Sequence, residues 1–222
     1  MQMSFGWFAH PIFSATGDYP DVMKSTIAAR SRSQNYSTSR LPDFTPSELD
    51  SLKRSADFLG LNHYNTWMAY SKHFPVSEVS FAADKGTGLV RDPKLRDPTL
   101  APEGFRKLLN WIKEEYGNPL VYVTENGVGD SGGSLEDQHR VTFLQEYLHA
   151  LFLAVEQDGC NVQRYTVWSI MDNMEWTAGY TVKFGLYHVD FKSLRRTRTP
   201  KSSAYFFEGY CSALSDVEVS LV

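Results

Sequence analysis

The chain has 222 residues, a formal net charge of −4, 42% hydrophobic residues and 22% charged residues. This is globular composition, long enough to bury a sizeable core, and it argues against a disordered chain or a general nucleic-acid binder. Two cysteines, Cys160 and Cys211, spell neither a disulfide framework nor a metal cluster, and no apolar run approaches the length of a membrane span.

The opening, through Gly17-Asp18-Tyr19-Pro20, is rich in aromatics and prolines and predicts loop with little helix; it shows no basic region followed by an apolar segment, so no signal peptide is read. Asp21 to Arg30 predicts a helix. Asn35-Tyr36-Ser37 is a glycosylation sequon, a triplet that often arises by chance. A short helix is predicted from Pro46, with Thr45 as its cap and Pro46 suited to the first helical position. Asp57 to Tyr64 predicts a buried strand ending in polar groups. Residues 70–102, full of Gly, Pro, Asp and Lys, are too long for a simple connection and predict an elaborated functional loop.

Phe105, Leu108, Leu109, Ile112 and Tyr116 recur at helical spacing, and Gly117-Asn118-Pro119 ends that amphipathic helix. Val121-Tyr122-Val123-Thr124-Glu125 then predicts a strand that delivers a carboxylate at its C-terminal end and turns at Asn126-Gly127. A Glu held there is rigid and exposed, as a nucleophile or general base requires; the plainer reading is a solvated Glu opening a tight turn. Gly127 to Gly133 is glycine-rich but lacks the pattern of a phosphate loop. A helix from about Leu135 to Gln157 should bury Phe143, Leu144, Tyr147, Leu151 and Val155. Arg164 to Ile170 predicts a third strand, Arg195 to Arg198 a solvated loop, and Ser202 to Leu214 a last helix.

The order strand-helix-strand-helix-strand-helix predicts an α/β fold with a parallel sheet, doubly wound or a β/α barrel. Asn62, Tyr64, Glu125, Trp168 and Glu175 all fall at or just beyond the C-terminal ends of successive strands, where a barrel builds its active site.

Thr124-Glu125-Asn126-Gly127, the run Trp168 to Trp176, and Gly179-Tyr180 through Phe184-Gly185-Leu186 to Asp190-Phe191 resemble glycoside hydrolase family 1, the family of β-glucosidases, lactase-phlorizin hydrolase, myrosinases and the klotho proteins. Gly60-Leu61-Asn62-His63-Tyr64 and the opening from Gly6-Trp7-Phe8 to Tyr19-Pro20 match in the same order, and the wording is nearest to animal β-glucosidases, insect ones among them. The resemblance implies a (β/α)8 TIM barrel and a retaining β-glycosidase acting on a β-glucoside or related glycoside. Glu125 would be the catalytic nucleophile, Tyr64 its hydrogen-bonding tyrosine and Asn62 a neighbouring polar residue. Glu175 would bind distal sugar hydroxyls, Trp168 and Trp176 would wall the sugar, and Phe184 would close the pocket. No cofactor or metal is implied.

Two residues depart from the family pattern: Lys183 stands where an Arg is usual, and Arg164 where a Gly is usual. A larger departure is that the family's acid/base carboxylate sits in an Asn-Glu pair, and the chain contains no Asn-Glu dipeptide. The order of motifs implies that residues 1–222 form a single incomplete domain, the last three strands of the barrel with their helices, whose partner is the missing N-terminal half. Alone, such a chain is expected to be inactive. A klotho-like binding module and a myrosinase-like thioglucosidase are the alternatives. The compartment stays open, a secreted location being favoured over a cytoplasmic one.

Overall fold

The computed structural model describes residues 1–53, 55–94 and 99–215, which form two compact units. The first comprises Met1–Leu59, Thr66–Pro98 and Leu108–Leu120; the second comprises Gly60–Asn65, Thr99–Lys107 and Val121–Val222.

The first unit begins with a helix where the sequence predicts loop. Helix α1 spans Phe5–Phe13 and includes Pro11. The proline removes one backbone donor, which disfavours helix locally. Tertiary packing overrides that preference: Gly6, Ala9 and Pro11 are buried, Phe5 meets Trp111 edge-on at 5.8 Å, and Trp7 lies 5.1 Å from Phe81. Helix α2 (Asp21–Ser33) buries Met23 and Ile27, which pack with Leu41 against Met3, Trp7 and Tyr19. Helix α3 (Pro46–Leu52) has the expected cap: the Thr45 hydroxyl accepts from Glu48 N, and the Glu48 carboxylate accepts from Thr45 N, a full capping box.

Within residues 70–102 the described part is not irregular loop. Strands β2 (Met68–Ser71) and β3 (Thr87–Val90) pair antiparallel, with the short helix α4 (Phe81–Lys85) between them. Residues 95–98 of that stretch lie outside the described residues. Asp84, buried on α4, accepts two bonds of 2.6 Å from Arg40 and one of 3.3 Å from Arg30, so this excursion is tied to α2 and the segment after it.

The second unit holds a three-stranded sheet in the order β1 (Leu59–His63), β4 (Val121–Asn126), β5 (Val162–Val167). β4 and β5 are parallel, and β5 begins and ends a little earlier than the sequence suggests. Helix α5 (Pro102–Tyr116), which begins in this unit and belongs to the first from Leu108 onward, buries Phe105, Leu109, Ile112 and Tyr116 at the predicted spacing. Helix α6 (Gln138–Glu156) buries Phe143, Leu144, Tyr147 and Leu148; Leu151 and Val155 are only half-buried. Phe143 stacks on Tyr147 at 4.2 Å, and Phe105 and His63 join the same aromatic cluster. After β5 come a 3-10 turn (Trp176–Ala178), an antiparallel hairpin of β6 (Tyr187–Val189) and β7 (Arg198–Pro200), and helix α7 (Ser202–Ser215). The hairpin takes up Arg198 from the stretch expected to be loop. Arg164, the departure noted on β5, lies opposite Tyr122 in the register and places its guanidinium 4.8 Å from that ring.

Strand β4 carries the irregularity that matters most for the site. Val121 and Val123 are buried, and strict alternation would bury Glu125 with them. The pairing with β5 instead shifts register between Val123 and Asn126, so that Asn126 is buried and Glu125 is not. The Asn126 amide nitrogen donates to His63 O at 2.7 Å on β1, and its amide oxygen accepts from Tyr165 OH at 2.7 Å on β5. One side chain thus ties together the ends of all three strands. Asn126→Leu keeps the volume but leaves the His63 carbonyl and the Tyr165 hydroxyl without these partners; we expect a loss of about 2–5 kcal/mol, read as a lowered urea midpoint. A midpoint equal to the parent's would show that the clamp is not needed.

His63 faces the aromatic cluster with its Nδ1 unpartnered, and burial lowers its pKa to about 4. The unfolded chain binds this proton near the ordinary value of about 6.5, so the neutral, buried imidazole favours folding above that pH. The contribution is lost as pH falls from about 6.5 towards 4, on the order of 3 kcal/mol in full. His63→Phe should flatten the stability–pH curve across this window relative to the parent. Parallel curves for parent and variant would refute the assignment.

Candidate active site

The three strand ends of the second unit open on a cavity of about 640 Å³, within the usual range of small-molecule pockets. Tyr64, Glu125, Trp168, Glu175, Trp176 and Phe184 line it, so six of the seven residues read from the sequence come together there. They come from the residue after β1, the end of β4, the residue after β5, the 3-10 turn and the segment before β6.

Asn62 is the exception. It lies two residues before Tyr64 on the exposed side of β1, deeper along the strand, and its side-chain oxygen accepts from the Thr124 hydroxyl at 2.6 Å. It is not among the cavity's lining residues.

Glu125 Oε2 accepts a hydrogen bond of 2.5 Å from Tyr64 OH. Burial raises the Tyr64 pKa well above its ordinary value, and the bond to Glu125 together with the negative charges of Glu125 and Glu175 raises it further. Tyr64 is therefore a hydrogen-bond donor at every accessible pH, and it fixes the direction of the carboxyl group. The Phe184 ring stands edge-on to Tyr64, with centroids 5.9 Å apart. Opposite them, the Trp168 indole N–H donates to Glu175 Oε1 at 3.3 Å. Trp176 is 88% exposed at positive φ, which presents its ring as an open aromatic surface.

Several residues that sequence reasoning passed over hold this arrangement. Gly127 reads as half of a turn dipeptide, yet a Cβ there would lie 2.0 Å from the Trp168 carbonyl oxygen; the glycine lets β4 and the segment after β5 approach closely. The Arg140 guanidinium, buried on α6, donates to Asp130 and to Lys183 O, both at 2.8 Å, and pairs with buried Asp137. Burial acts to raise the Asp130 pKa, but bonds from Gly133 N and Arg140 outweigh it and leave the carboxyl below its ordinary value. Asp172 and Lys201 form a second buried ion pair behind the Phe184 segment. Spacing alone could have paired Arg140 with Asp137, three residues before it, but Lys183 O is 43 residues from Arg140 and Lys201 is 29 from Asp172, too far to be paired that way.

Among the described residues no group of three His, Cys, Asp or Glu side chains could hold a metal ion, and no helix is long and apolar enough to cross a membrane. The cavity offers one hydrogen-bonded carboxylate, a second acid beside an indole, and aromatic faces. Such a set can attack an electrophilic carbon and hold polyhydroxylated, C–H-faced ligands.

Known proteins match this geometry and sequence. Residues 1–213 match the family described as glycosyl hydrolase family 1. The human lactase/phlorizin hydrolase is 44% identical over 93% of this chain, which spans 11% of that protein. Myrosinase 1 of the aphid Brevicoryne brassicae is 40% identical over 95% of the chain and 46% of its own length. The solved aphid myrosinase superposes with a TM-score of 0.86, also at 40% identity over 95% of this chain and 46% of its own. A rice β-glucosidase mutant, solved in a covalent complex with glucose, superposes with a TM-score of 0.80 at 36% identity, covering 93% of this chain and 45% of that one. The chain thus spans less than half the length of these relatives, whose structures are of barrel glycosidases. The chain belongs to glycosyl hydrolase family 1.

Proposed function

We propose that the chain carries the nucleophile side of a retaining β-glycosidase of β-glucosidase type, within a barrel whose last three strands are β1, β4 and β5. The observation that supports this reading most directly is the Tyr64–Glu125 hydrogen bond at the mouth of a cavity faced by Trp168 and Glu175. Glu125 attacks the anomeric carbon of a β-glucoside; the glycosidic C–O bond breaks and a covalent glycosyl-enzyme forms. The departing oxygen takes a proton from a carboxylic acid, which water later uses as a base when it releases the sugar. Glu175, bonded to the Trp168 indole, serves to bind sugar hydroxyls, with Trp168, Trp176 and Phe184 packing on the ring. Asn62, below Tyr64 on β1, supports Thr124 from the same face.

Residues 1–222 form one incomplete domain in this reading. The acid/base lies on an Asn-Glu sequence of an N-terminal half, since no Asn-Glu occurs in the 222 residues. Alone, the chain hydrolyses unactivated glucosides negligibly, because loss of a general acid costs on the order of 10²–10⁴ in rate. The myrosinase likeness favours a second possibility for the same nucleophile. A thioglucoside's leaving sulfur needs no protonation, so the residue at the acid position decides between the two substrates.

The test uses dinitrophenyl 2-deoxy-2-fluoro-β-glucoside, whose leaving group departs without a proton and therefore reports the nucleophile alone. With the chain assembled with its N-terminal half, peptide mass spectrometry should find the fluoroglucosyl group on Glu125. Glu125→Gln should abolish labelling. Tyr64→Phe should slow it about 10- to 100-fold, the worth of one hydrogen bond to a charged group. Label on another carboxylate, or none in a folded assembly, would overturn the reading.

A further inference from the structure

We infer that the buried Asp172–Lys201 ion pair is a positioning device that sets the spacing between Phe184 and Glu175 across the cavity, an inference that rests on the glycosidase reading above. Both side chains are fully buried, and Lys201 Nζ donates to Asp172 Oδ1 at 2.8 Å. A buried ion pair is seldom more stabilising than apolar side chains of the same size, so its presence here is weakly explained by stability.

The carboxylate's other bonds indicate what it does. Asp172 Oδ1 also accepts from Gly185 N at 3.0 Å, Oδ2 accepts from Val189 N at 3.4 Å, and His188 Nδ1 stands 3.4 Å from Oδ2. Gly185 directly follows Phe184, and Asp172 lies three residues before Glu175. The two segments run side by side: Ser169 N donates to Phe184 O, Leu186 N to Ser169 O, Tyr187 N to Ile170 O, and Asp172 N to Tyr187 O. Their approach is unusually close, since a Cβ on Gly185 would lie 2.1 Å from Asp172 N. Lys201 N donates to Leu186 O at 2.9 Å, so the lysine holds the same strand by its backbone as well as by its charge. One carboxylate therefore fixes the segment bearing Phe184 against the segment bearing Trp168 and Glu175. Neither Asp172 nor Lys201 lines the cavity.

Removing one charge alone would leave the other buried and unpaired, which confounds position with stability. The double variant Asp172→Leu/Lys201→Met replaces the pair by apolar side chains, leaves no unpaired charge, and removes the acceptor that anchors Gly185 N and Val189 N. Using the assembled protein and the same fluoroglucoside, near-UV circular dichroism reports folding while KI and kinact for Glu125 are measured separately. We expect a folded double variant whose KI is raised about tenfold or more, with kinact within about threefold of the parent. A merely structural pair would leave KI unmoved in the folded fraction. KI within twofold of the parent would overturn the inference.

If that double variant does not fold, Asp172→Asn/Lys201→Met serves: it removes both charges together, retains the shape and one acceptor at residue 172, and KI should rise about threefold or more. An unchanged KI in that variant is equally fatal. Absence of label in the parent instead removes the glycosidase reading itself, so the two failures are distinguishable.

Discussion

The arrangement depends on one amide. Asn126 donates to β1 and accepts from the tyrosine of β5, and it can do so only because the β4–β5 register slips just before it. Without the slip, the two-residue period of a strand would turn Glu125 into the aromatic core with Val121 and Val123. There an ionised carboxylate would be very costly. With the slip, a neutral amide that can satisfy both neighbours takes the buried place, and the carboxylate emerges at the mouth. Placement of the charge and closure of the sheet's end are one event in the structure.

That coupling explains what was legible in the sequence and what was not. Strands and helices with clear periodicity, such as the run from Phe105 to Tyr116, emerge close to expectation because burial on one face dictates their spacing. Tyr64, Glu125 and Trp168 could be grouped from the sequence because each lies at or just after a strand end, whereas Glu175 lies in the loop beyond β5 and only its place in the motif from Trp168 to Trp176 pointed to it. Asn126 and Gly127 were misread as a turn pair. The dipeptide has that local preference, and nothing nearby in sequence reveals that His63 and Tyr165 bond to the asparagine while Trp168 closes on the glycine. Helix α1 was hidden for the same kind of reason: Pro11 and the aromatics argue locally for loop, while Trp111 and Phe81, distant in sequence, supply the packing that makes it helix. The β6–β7 hairpin is short, and its place is set by the buried Asp172, which is 29 residues from its lysine partner.

Charge is distributed in the second unit with a consistent logic. The acids that face the cavity, Glu125 and Glu175, are matched by neutral donors, a phenol and an indole. The fully charged partners, Arg140 and Lys201, stand behind the wall and meet Asp130, Asp137 and Asp172 there. A cation beside Glu125 would hold the carboxylate in a salt bridge and weaken it as a nucleophile. A hydroxyl fixes its direction at lower cost to its reactivity. The cations instead tie down backbone: Lys183 O accepts from Arg140, and Leu186 O from the Lys201 amide.

This division also bears on which step the described residues can carry. Tyr64, held protonated by burial and by the neighbouring negative charges, has no proton to give near neutrality. Glu175 is engaged with the Trp168 indole in a loop beyond β5. What remains is a carboxylate aimed by a phenol, which in the proposed reading is the group that forms a bond to carbon. Protonation of a poor leaving group then has to come from another carboxyl, and demand for that group scales with the basicity of the atom that departs. Under the proposed reading, a dinitrophenolate or a thiolate would leave on Glu125's attack alone, whereas an alkoxide would not; the reactivity expected of this chain is therefore graded by leaving group rather than simply present or absent.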